Sequence, residues 1–95
     1  MSQCRLSDVT KDYLAKFYNI LDDMIQGMSC LNMTDSISEN FIAQMIPHHQ
    51  GAVEMCQNAL RYDICPGLCP ICRDIISSQC RGINQMQNLL RTLNC

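Results

Sequence analysis

Ninety-five residues at 10.8 kDa give one domain, and length alone excludes a doubly wound sheet or an eight-stranded barrel. A net charge of −2 with 17% charged residues builds no basic field, so nucleic acid and anionic membrane surfaces are poor partners. No apolar run approaches a membrane span and no signal-peptide pattern follows Met1, so the expected address is the cytoplasm.

Apolar residues recur at helical spacing in three stretches, and no stretch alternates like a strand. The first helix is predicted over about 7–28, with Leu14, Phe17, Leu21, Met24 and Met28 at steps of three and four. Ser29 to Ser36 forms a loop. The second helix, about 37–62, opens on Ser36 with Glu39 three residues later. That is a capping-box pattern in which each side chain satisfies the other's free N–H. Pro47 lies inside it and predicts a kink between Ala43 and Pro47. After the breaker segment Asp63 to Pro70, the third helix, about 67–92, carries Cys72, Ile75, Ile76, Ile83, Met86, Leu90 and Leu93. Gly82 in its interior costs about 1 kcal/mol relative to Ala and so implies close packing at that point. Short connections make this an all-α, antiparallel three-helix bundle. Its small core leaves room for dimerisation into a larger one.

Eight Cys and seven Met, with no Trp and only two Phe, give sulfur much of the packing role that aromatics usually take. In an exported chain eight Cys would be a disulfide framework. In a reducing compartment they point first to metal.

The two His, His48 and His49, are adjacent on the second helix. At about 100° per residue they belong to different stripes. His48 joins Phe41, Met45, Ala52, Met55 and Ala59, whereas His49 joins Ile42, Ile46, Val53, Cys56 and Leu60. Each interrupts an otherwise apolar stripe expected to face a neighbouring helix. A buried imidazole needs a partner, and the surroundings offer sulfur more than oxygen.

A hairpin turn near Asp63 to Cys69 pairs the second and third helices so that facing residue numbers add to about 130. His49 is then expected opposite Cys80, His48 beside Gly82, and Met45 opposite Met86. The first helix returns Met24 and Met28 toward Met45. One end of the bundle thus gathers Met24, Met28, Met45, His48, His49 and Met86, a thioether–imidazole set that suits Cu(I) and rejects hard ions.

The run Met45-Ile46-Pro47-His48-His49-Gln50-Gly51-Ala52, followed by Met55, resembles the signature of domain-of-unknown-function family 305. Ile75, Ile76, Gln79, Ile83 and Met86 match that family's second helix in spacing, and the resemblance spans Ser38 to Leu93. It implies a ferritin-like helical bundle and, through members linked to copper tolerance, copper bound by Met and His. Met45, His48, His49, Met55 and Met86 fit that pattern, while Gly82 stands where the family carries an acidic residue.

Cys65, Cys69 and Cys72 follow one another at steps of four and three. Helical from Pro66, they would share a face at a helix N-terminus, where thiolates are stabilised. Zinc is the alternative metal, with Cys80 or Cys56 as fourth ligand, and a Cys56–Cys72 disulfide is also within reach. Cys4, Cys30 and Cys95 sit at segment ends and could close the bundle. The radical-enzyme reading of the three-Cys spacing fails on length. A di-iron site fails because the only Glu are Glu39 and Glu54, neither three residues before a His. No other catalytic set stands out, and no enzyme activity is expected. The leading expectation is a small Cu(I)-binding or buffering protein. The alternatives are an interaction bundle tied by disulfides or structural zinc, and a thiol-redox function at Cys69 and Cys72.

Overall fold

The computed structural model describes residues 5–92, which leaves Cys4, Leu93 and Cys95 outside the described residues. Ser7 caps the first helix, α1 (Asp8–Ser29), its hydroxyl accepting from the Thr10 N–H at 3.1 Å. The second, α2 (Ile37–Ala59), starts at Ser36, whose hydroxyl accepts from the Glu39 N–H at 3.2 Å. Only half of the capping box forms. The Glu39 carboxylate accepts instead from the Thr34 hydroxyl at 2.9 Å, and the Ser36 N–H donates to that hydroxyl at 3.1 Å. Thr34, pinned through its backbone to the Asn40 amide, intercepts the reciprocal bond.

α2 runs unbroken through Pro47 and stops at Ala59, three residues before the expected end. Leu60 to Tyr62 turn under Asn58, which is 2% exposed. The Asn58 amide donates to the Tyr13 carbonyl at 3.2 Å and accepts from Arg61 at 3.2 Å, tying the end of α2 to α1. The third helix, α3 (Leu68–Thr92), begins after a turn in which the Leu68 N–H reaches the Cys65 carbonyl at 2.8 Å.

The three helices form an antiparallel bundle with α2 in the middle. α1 packs on α2 and α2 on α3, but no Cα of α1 comes within 8 Å of α3 among the described residues. The helices therefore lie side by side, consistent with Cα extents of 53 × 27 × 17 Å. The radius of gyration is 16.4 Å, against about 12 Å for a compact chain of this length. The core is correspondingly thin: Ile20, Ile42, Cys56 and Cys72 are its buried apolar members among the described residues.

Two glycines let α1 and α2 interlock. A Cβ on Gly27 would lie 2.9 Å from Pro47 Cβ, and one on Gly51 would lie 2.5 Å from Met24 Sδ. Each glycine is thus a hole that receives the facing side chain. No described helix is long and apolar enough to cross a membrane.

Candidate metal centre

The α2–α3 register falls near the sequence expectation, but the histidine beside Gly82 is the other one of the pair. It is His49, not His48, that lies over Gly82: a Cβ there would sit 3.2 Å from His49 Cδ2 and 3.5 Å from Nε2. The absent side chain at residue 82 makes room for the ring. His49 Nδ1–H donates to the Met45 carbonyl at 2.9 Å. A carbonyl can only accept, so the neutral ring carries its proton on Nδ1 and leaves the Nε2 lone pair free. One turn along from this contact, Met45 and Met86 stand level with each other, both half-buried.

His48 is exposed, its ring centroid 5.9 Å from that of His49 and its plane turned by 61°. The expectation that each His faces a neighbouring helix holds for His49 alone. α1 lies on the far side of α2, and neither neighbour covers His48. For the same reason Met24 does not approach Met45. It packs on Gly51, on the α1 side of α2. Met28, one turn beyond Met24, and Met55, two turns beyond His48, are half-buried.

The cysteines divide. Cys56 and Cys72, both buried, are neighbours across α2 and α3. Burial first, then the neighbouring Cys72, pushes the Cys56 thiol above its ordinary range. Because α3 starts at Leu68, Cys65 sits outside the helix and is exposed. It does not share a helical face with Cys69, half-buried in the first turn, or with Cys72. Cys80 is exposed and borders a cleft with Gln50, Val53, Glu54 and Ile83, so it does not stand opposite His49. All six described cysteines, Cys30 among them, carry free thiols. Among the described residues no three His, Cys, Asp or Glu side chains converge, so the four-ligand zinc set does not assemble.

Sequence reasoning missed the Met45 carbonyl as the group that orients His49. A polar main-chain acceptor four residues back is present on every helix, and nothing in the side-chain pattern singles this one out. Tyr62 closes the far end: its phenol donates to Asp12, which raises its pKa, and its ring meets Tyr13 edge-on at 5.9 Å.

A family model described as Domain of unknown function (DUF305) matches residues 21–92. No curated protein matches the chain.

Proposed function

We propose, for a chain that belongs to the DUF305 family, a non-catalytic role in binding and buffering soft metal ions, Cu(I) foremost. The observation that carries this reading is His49. Its Nδ1–H is anchored on a main-chain carbonyl, its Nε2 lone pair is free, and a glycine opens the space in front of it. Metal-binding histidines are oriented in this way, by a hydrogen bond from the nitrogen that does not ligate. Met45 and Met86 supply thioethers one turn away, and His48 supplies a second imidazole beside the first. Thioether and imidazole together favour Cu(I) over magnesium or calcium.

Met55 flanks His48 on its stripe, and Met24 and Met28 form an auxiliary thioether pair at the α1 side. Cys65, Cys69, Cys72 and Cys80 are thiolate donors of lower rank, because they are dispersed and Cys72 is buried beside Cys56. Free thiols suit the reducing cytoplasm as the site of action. A second reading rests on the Cys56–Cys72 contact: an interaction bundle whose α2 and α3 are tied by a disulfide, with no metal handling.

Titration of reduced protein with Cu(I) against a chromogenic chelator tests the first reading. Sub-micromolar affinity that falls at least tenfold on His49→Ala supports it. Affinity no better than micromolar, and indifferent to loss of His48, His49 and Met45, overturns it.

A further inference from the structure

The two broad faces of the helical layer differ in chemistry. Gln50 and Glu54 line clefts on both sides of α2, one shared with Asp23 of α1 and the other with Cys80 of α3. These residues mark a polar face. At about 100° per residue, the opposite face of α2 carries Phe41, His48, Ala52, Met55 and Ala59. On α3 the same rotation brings up Ile71, Ile75, Gly82, Met86 and Leu89, and on α1 Leu14, Leu21, Ile25 and Met28. This face is apolar and uncovered: Phe41 is 57% exposed, Ile71 54% and Leu89 52%. No Asp, Glu, Lys or Arg falls on the α2 stripe, while Lys11, Asp74 and Arg81 lie at the outer edges.

We infer that a second copy of this chain covers that face and that the two copies' His48 side chains form a further Cu(I) position between them. The inference rests on the Cu(I) reading proposed above. The surface supports the occupant: the accessible area is 6816 Å², whereas a compact monomer of 10.8 kDa exposes about 5500 Å². The excess of about 1300 Å² exceeds the roughly 800 Å² that each partner of a standard interface buries. The α2 stripe is uncharged, and the Asp74 and Arg81 that border Ile71 and Ile75 are of opposite sign, so the face meets a copy of itself with no net like-charge repulsion.

Position makes the second copy a ligand donor. His48 is the middle residue of α2 (Ile37–Ala59), so a two-fold axis through the centre of the face sets it against His48 of the second copy. In one chain His48 has one neighbouring thioether on its stripe within two turns on each side, Met45 and Met55, and an open front. In the pair, two imidazoles and their flanking thioethers surround one desolvated position, a soft set for a Cu(I) ion shared between chains.

The test is the solution mass of the full, reduced chain by light scattering at tens of micromolar, with and without Cu(I). The expected mass is about twice 10.8 kDa. Ile71→Asp, and separately Leu89→Asp, are expected to give monomers with unchanged far-UV circular dichroism, since both residues are exposed. Cu(I) is expected to tighten the dimer at least tenfold, and His48→Ala to abolish that increment while leaving the metal-free dimer intact. A monomer in every condition overturns the inference, and if it still binds Cu(I) through His49 the functional reading stands without it. A dimer whose dissociation constant ignores Cu(I) overturns the shared site. Failure of that dimer to bind Cu(I) at all overturns the functional reading too.

Discussion

The His49 ring lies closely against Gly82, where a Cβ would begin 3.2 Å from Cδ2 and 3.5 Å from Nε2. An alanine there gains about 1 kcal/mol of helix propensity and pushes the tethered ring off its present position. Gly82→Ala is therefore expected to change thermal stability by less than about 1 kcal/mol and to weaken Cu(I) binding several-fold. Unfolding melts and competition titrations on one preparation check both. A variant that binds as tightly as wild type would separate Gly82 from the site.

Gly51→Ala is expected to behave differently. Its Cβ would meet Sδ, Cγ and Cβ of Met24 at 2.5, 3.0 and 3.2 Å, so the whole side chain must move. Overpacking at the α1–α2 contact should cost about 1–3 kcal/mol in denaturant unfolding, and Met24→Ala in the same background should recover part of it.

Asn58 joins the end of α2 to the Tyr13 carbonyl while nearly fully buried. Asn58→Leu removes that tie and the acceptor for Arg61, while the Tyr13 carbonyl keeps its intrahelical donor, and should destabilise by about 1 kcal/mol. The exposed Arg61–Asp12 pair at 3.9 Å contributes little, but Arg61→Ala also removes the donor to the buried Asn58 side-chain oxygen and should cost about 1 kcal/mol or more.

The Cys56 thiol titrates above its ordinary range because it is buried against Cys72. The folded state therefore holds its proton more tightly than the unfolded state, and the associated stability is complete below the unfolded thiol's pKa of about 8.5. It is lost as pH rises from there through the higher folded value. Unfolding free energies measured from pH 7 to pH 10 should fall along that window. Cys56→Ala should flatten the decline, and an undiminished slope in that variant would assign it to Tyr62.

Much of the architecture was legible in the chain. Ser7 and Ser36 announce two helix starts, and the short Asp63–Gly67 turn leaves one register for α2 on α3, which is why Cys56 meets Cys72 as the spacing suggests. What the wheel cannot supply is which side of α2 each neighbour takes. A triangular bundle would have covered both imidazoles. The side-by-side arrangement, set by the Gly27–Pro47 and Gly51–Met24 contacts, puts α1 opposite α3 and leaves His48 open. The expected start of α3 at about residue 67 stands within one residue of Leu68; what fails is a helix from Pro66, because Pro66 and Gly67 form a turn that leaves Cys65 outside it.

X-ray absorption at the copper edge of the reduced, Cu(I)-loaded protein asks most directly which atoms hold the ion. The account predicts a mixed shell of imidazole nitrogen and thioether sulfur, with the nitrogen contribution falling in His49→Ala and persisting when Cys65, Cys69 and Cys80 are replaced by Ser. A shell of sulfur alone, unchanged by His49→Ala and dispersed by the cysteine replacements, would contradict it.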